Sequence, residues 1–140
     1  MEDIRSVLSL FHSKKSHESK RTPESLSSTS ELATYSEIPD LFFDVILRDY
    51  KLNRHEITLF LFLYRQIWCR PSPYKEHGIG PLNSYSDIAL KMGLSTDEVV
   101  TTVKNLEKYG LLESVRVGQY FIRKFITQEY DEIYGQTYAF

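Results

Sequence analysis

Between Thr96 and Lys124 the chain gathers the side chains best suited to a definite chemistry. Lys104, Lys108, Arg116, Arg123 and Lys124 supply ammonium and guanidinium donors, the groups that neutralise phosphates. Thr101 adds a hydroxyl group for contact, and Thr96, Val100 and Gln119 complete the candidate DNA-binding residues. The expected chemistry is noncovalent: hydrogen bonding and charge pairing to double-stranded DNA. Catalytic chemistry has no comparable grouping. No carboxylate pair, phosphate loop or nucleophile–base set stands out, and His12, His17, His55 and His77 are scattered. No enzymatic activity, no metal and no cofactor are expected. Cys69, the single cysteine, sits in an apolar run and reads as a small buried hydrophobe. One cysteine excludes an internal disulfide and points to a reducing compartment.

These side chains need rigid elements to position them, and the spacing supplies a set. Tyr85, Ile88, Ala89 and Met92 or Leu90 form one stripe of a short helix, which Gly93 ends in a left-handed turn that glycine adopts cheaply. Leu94 then plugs the space between two helices. Ser95 and Glu98 make an S-x-x-E capping box for the next helix, expected to run to Tyr109 with Val99, Thr102, Val103 and Leu106 on its inner face. Gly110 closes it. Helix, glycine turn and capped helix in this order are a helix-turn-helix. The β-rich runs Leu111–Arg116 and Tyr120–Ile126, around Val117-Gly118-Gln119, predict a hairpin that adds a wing. The fold class expected is mainly α with a small β-wing, a winged helix-turn-helix preceded by two helices and a disordered N-terminal linker. Helical phase turns Thr96, Asp97, Val100, Thr101 and Lys104 outward at the start of the second motif helix, where a groove would be read. Asp97 and Glu98 suit the positive end of the helix dipole. Tyr120 and Phe121 alternate along the wing, so one is expected to face the core and the other outward, as a candidate partner surface.

The two preceding helices are also legible. Ile38, Leu41, Phe42, Val45 and Ile46 share a stripe behind Pro39. Asn53 and Glu56 have capping-box spacing and open a helix over Arg54–Cys69 whose apolar residues surround most of its circumference, the mark of a central buried helix. Pro71 stops it. Residues 70–83, with three prolines and two glycines, read as a loop longer than usual helix connections, with no role assigned. The chain divides into a short amphipathic helical peptide at 1–12, a flexible serine-rich linker at 13–37, the winged-helix domain at 38–126 and an acidic, aromatic tail at 127–140. In the first segment Ile4, Val7, Leu8 and Phe11 lie on one helical face and are candidate partner-binding residues for a protein groove. The tail's Tyr130, Ile133, Tyr134 and Tyr138 have roughly helical spacing and are expected to pack back on the domain or to form a dimer contact.

Net charge is −2, which is not the profile of bulk electrostatic nucleic-acid binding. The distribution is uneven. Residues 38–126 hold twelve Lys and Arg against ten Asp and Glu, whereas 127–140 hold three acids and no base. The basic side chains are richest in the second motif helix and the wing. No apolar run reaches the roughly 18 residues a membrane span needs, and no basic leader precedes the acidic start, so a cytoplasmic protein without membrane contact is expected.

The stretch YSDIALKMGLS…VVTTVKNLEKYGLLE resembles the winged helix of MarR-like regulators. The longer arrangement, IPDLFFDVIL, then LNRHEITLFLFLYRQIW, a loop and SYSDIALKMGLS, is similar to the N-terminal domain of phage lambda-type replication protein O and related plasmid replication organisers. The resemblance covers about residues 38 to 126. It implies sequence-specific duplex binding by the second motif helix, with the wing on the backbone. Two readings stay open: a DNA-binding transcription or replication factor, and a winged helix used for protein–protein contact, tethered by its N-terminal peptide or docking through the domain surface.

Overall fold

The order of elements in the computed structural model, which describes residues 34–69 and 71–138, is two core helices, a helix-turn-helix, a β-hairpin and a short final helix. The candidate partner residues Ile4, Val7, Leu8 and Phe11 lie outside the described residues. The first helix, α1, has a π-helical segment, Phe42–Ile46, that runs straight on into an α-helical turn, Leu47–Tyr50. Phe42 and Ile46 from the expected stripe are completely buried, and Ile38 and Leu41 pack against the same core. Lys51, in left-handed backbone at φ 51°, turns the chain out of α1.

Helix α2 spans Arg54–Tyr64 and continues as a π-helical segment, Arg65–Cys69. Its start is the expected capping box: the Glu56 amide donates to Asn53 Oδ1 at 2.8 Å and the Asn53 amide donates back to Glu56 Oε1 at 3.0 Å. Leu59, Phe60, Leu63, Tyr64 and Ile67 are buried, which makes this the central helix. Phe42 stacks on Phe60 with ring centres 5.4 Å apart, joining α1 to α2. The capping box has a second use. Buried Glu56 also accepts from Asn105 Nδ2 at 3.2 Å, so the cap of α2 is tied to the second motif helix.

Residues 70–83 hold more structure than a loop. After a 3-10 turn at Pro73–Glu76, the stretch Gly78–Asn83 runs beside the wing. Ile122 N–H donates to Gly78 O at 3.0 Å, Gly80 N–H to Tyr120 O at 3.0 Å, and Asn83 N–H to Gly118 O at 2.7 Å. Gly118, in left-handed backbone at φ 83°, leaves room for this: a β-carbon there would stand 2.5 Å from Asn83 O. The segment expected as a connecting loop is thus a partial third edge of the wing.

The helix-turn-helix follows as expected. Helix α3 is Tyr85–Met92, Gly93 closes it at φ 68°, and helix α4 is Thr96–Lys108. Ser95 caps α4 with Glu98 in a reciprocal box. Val99, Thr102, Val103 and Leu106 face inward. Strand β1, Glu113–Arg116, pairs antiparallel with β2, Gln119–Phe121, in a two-stranded sheet with an irregularity between Ser114 and Arg116.

Both strands are shorter than expected, and the hydrogen bonds say why. Leu111 N–H is still committed to Leu106 O at the end of α4. Beyond Phe121, the Lys124 amide donates to the Tyr138 hydroxyl at 2.9 Å and the Phe125 amide to Asp131 Oδ1 at 3.1 Å. Those acceptors come from the tail, whose helix α5 spans Gln128–Ile133 behind the Thr127 cap. The alternation expected at Tyr120 and Phe121 also fails, because both are buried. Tyr138 meets the Phe121 ring edge-on at 5.1 Å and covers the side that would otherwise face water.

Candidate nucleic-acid interface

Helix α4 presents one face to the core and one to solvent. Leu106 and Val99 are fully buried, while Thr96, Asp97, Thr101, Lys104 and Lys108 are exposed and Val100 is half-buried. Asp97, Thr101, Lys104 and Lys108 recur at i, i+4, i+7 and i+11, one outward stripe. Among the described residues no ion pair engages Lys104 or Lys108.

The two acids of the first turn differ. Glu98 Oε1 accepts the Ser95 amide at 3.1 Å, and Glu98 Oε2 lies 3.4 Å from His55 Nε2 at the start of α2. The bond from the Ser95 backbone holds the Glu98 carboxyl below its ordinary range. Asp97 has no such partner in the hydrogen bonds and ion pairs of the described residues. Thr102, inward, donates its hydroxyl to Glu98 O at 2.6 Å, and Asn105 is turned to Glu56. The side of α4 facing α2 is therefore saturated, and the outward stripe is not.

The wing is fixed to α4 by a contact between Ser114 and the Glu107 carboxylate. Arg116 and Gln119 flank its turn. Arg116 Nε donates to Gln119 Oε1 at 3.0 Å, and Gln119 Nε2 donates to Gly80 O at 3.1 Å, so the third edge braces the turn residues. Buried Asn83 and half-buried Gln66 form an amide pair, with Asn83 Nδ2 2.9 Å from Gln66 Oε1, that carries the brace back to α2. Val115 and Val117 are exposed around the turn.

Seven of the nine expected DNA-binding residues thus sit on α4 or at the wing turn. The other two, Arg123 and Lys124, lie at the opposite end of the hairpin, beside the tail. Arg123 Nη1 is 3.2 Å from Asp131 Oδ2, and its guanidinium lies over the Phe121 ring at 5.1 Å. Its side chain is only 23% exposed. Lys124 is exposed, with its ammonium 5.8 Å over the Phe125 ring. Asp131 is the residue that sequence reasoning missed. It is 2% exposed and accepts from Arg123, the Phe125 amide and, at 2.5 Å, the Tyr138 hydroxyl. Nothing local marks it, since its partners come from another element. Tyr64 and Trp68 on α2 complete this clamp by donating to Lys124 O at 2.6 Å and Ile122 O at 3.0 Å. Burial pushes the Tyr64 and Tyr138 hydroxyls above the ordinary phenol range. Cys69 is half-buried, donates its thiol to Glu37 O at 3.0 Å and has its pKa raised by burial.

Helix, glycine turn, capped helix and braced β-hairpin, in this order and geometry, define a winged helix-turn-helix protein. No family model matches the chain, and no curated protein matches it. Among solved structures it is similar to the CO-dependent transcription factor CooA from Carboxydothermus hydrogenoformans in its imidazole-bound form, at 19% identity and a TM-score of 0.41. The match covers 66% of this chain and 39% of CooA, so the chain spans well under half of that protein. A likeness at this level says nothing about what this chain binds. The comparisons give no support to the resemblance to MarR-like regulators or replication organisers. Among the described residues no three metal-ligating side chains cluster, and no helix is long and apolar enough to cross a membrane.

Proposed function

We propose that the chain is a duplex-DNA-binding module acting as a transcription or replication factor, with α4 in the major groove and the wing turn on the sugar–phosphate backbone. The observation that carries this reading is the outward stripe of α4. It combines an exposed helix start with Lys104 and Lys108, which no ion pair engages among the described residues, while Glu98 and Asn105 on the neighbouring face are committed to α2. The exposure of Arg116 at the wing turn supports this reading, since a guanidinium there suits a phosphate. Arg123 is removed from the expected set because Asp131 already neutralises it.

The test is binding of the full chain to duplex DNA at about 50 mM and about 200 mM salt, for the wild type and for a triple variant, Lys104→Glu, Lys108→Glu and Arg116→Glu. The wild type is expected to lose affinity steeply with salt. The variant is expected to lose at least about 100-fold at the lower salt, with the logarithmic salt slope reduced by about 3. Wild-type affinity that is absent at low salt, or unchanged by the triple reversal, overturns the reading.

A second reading has one observation in its favour. Val115, Val117 and Leu82 are exposed by 51%, 72% and 56%, and Leu82 precedes the residue bonded to the wing turn. Apolar groups there suit a protein surface, in which case Val117→Asp would abolish partner binding and leave DNA binding intact.

A further inference from the structure

We propose that Asp97 is the specificity-determining residue of this interface, accepting a hydrogen bond from the exocyclic amino group of a cytosine in the major groove. This rests on the DNA reading above and deepens it.

The first support is the difference between neighbouring acids. Glu98 is accounted for by the fold: it closes the capping box and faces His55. Asp97 is exposed, and neither a hydrogen bond nor an ion pair reaches its carboxylate among the described residues. Helix-dipole stabilisation favours an acid anywhere in the first turn; what separates Asp97 from Glu98 is that its carboxylate has no partner among the described residues and heads the outward stripe. The second support is side-chain length. Thr96, Asp97, Val100 and Thr101 are all short, so nothing on the first two turns holds the backbone of α4 away from the groove floor. A carboxylate on a single methylene reaches a base edge only in such a close approach. The long side chains, Lys104 and Lys108, come later on the stripe, where the helix leaves the groove toward a phosphate rim.

The third support is electrostatic. A carboxylate brought between two rows of phosphates is repelled unless a donor meets it. Two donors line the major groove, cytosine N4 and adenine N6. Adenine N6 lies between two acceptors, N7 of its own ring and thymine O4. Cytosine N4 has an acceptor, guanine O6, on one side only. The carboxylate therefore favours cytosine. The same repulsion weakens binding to every duplex lacking cytosine at that position, so Asp97 raises discrimination while lowering nonspecific affinity.

The test is selection from a pool of random duplexes by the full chain, as wild type, Asp97→Asn and Asp97→Ala, with circular dichroism as the check of folding. Wild type is expected to enrich cytosine at one fixed position by on the order of 10-fold. Asparagine pairs with adenine N6 and N7, so Asp97→Asn is expected to move the preference at that position from cytosine to adenine. Asp97→Ala is expected to flatten it and to bind nonspecific duplex more tightly than wild type. A selected motif that both variants retain unchanged overturns the inference and leaves the DNA reading standing. Uniform weakening across all sequences, with the motif intact, also overturns it. A wild type that selects no duplex brings down the DNA reading and this inference with it.

Discussion

Arg116 and Arg123 stand on the same hairpin, and in the sequence they look like a matched pair around the wing turn. Arg116 is exposed and, among the described residues, is bonded only to Gln119, a neutral neighbour that does not neutralise its charge. Arg123 is paired with a buried carboxylate and lies against an aromatic ring. The end of the hairpin near the turn keeps its charge available. The end beside the tail uses charge to hold the chain together: every polar partner of Ile122–Phe125 that links it to the tail or α2 is a buried or half-buried side chain. The lesson is that a basic residue's meaning is set by its long-range partner. A count of bases over the motif overstates the interface by the one that the tail has neutralised.

The largest test of this contrast removes Asp131. Asp131→Ala leaves the Arg123 guanidinium, the Phe125 amide and the Tyr138 hydroxyl without their shared acceptor. Removing one partner of a buried ion pair costs about 3 kcal/mol or more, measurable as a lowered urea midpoint. Lys104→Ala, at the other kind of site, is expected to shift stability by no more than about 0.5 kcal/mol while weakening duplex binding. If both substitutions destabilise equally, the division between holding charges and available charges is wrong.

A smaller effect is expected at the brace between the two ends. Gly118→Ala places a β-carbon 2.5 Å from Asn83 O in left-handed backbone. Neither the carbonyl nor the turn can yield without breaking the Asn83–Gly118 bond, so a loss of about 2 kcal/mol is expected. Because Arg116 and Gln119 flank this turn, duplex affinity of the folded variant is expected to fall as well. Destabilisation without any change in affinity would mean that the wing turn does not touch the ligand.

Much of this was legible because it is local. Asn53 with Glu56, Ser95 with Glu98, and Gly93 each act within one turn of chain, and each forms the cap or turn that its type and spacing predict. The outward stripe of α4 follows from the same helical period that buries Val99 and Leu106. What sequence reasoning missed is non-local. The tail takes the amides that would have lengthened β2, and Tyr138 covers Phe121. The third edge of the wing was hidden because Gly78, Gly80 and Pro81 have the composition of a loop, and only their pairing with Gly118–Ile122 shows otherwise. The π-helical segments of α1 and α2 keep an apolar pattern that does not distinguish them from ordinary α-helix.

The smallest effect is expected at Glu98, in the first turn of α4. The Ser95 amide holds the Glu98 carboxyl below its ordinary range in the folded chain. A depressed folded pKa means a stabilising contribution that is present above the unfolded value, about 4.3 for glutamate, and is lost as pH falls through the folded value. Glu98→Gln keeps an acceptor for the Ser95 amide but cannot ionise. Wild type is therefore expected to be the more stable of the two near neutral pH, and the difference is expected to shrink as pH falls below about 4.3 and through the lowered folded value. If urea titrations across the acid range show wild type and Glu98→Gln behaving alike, the bond from the Ser95 amide does not make the Glu98 carboxylate part of what holds the start of α4.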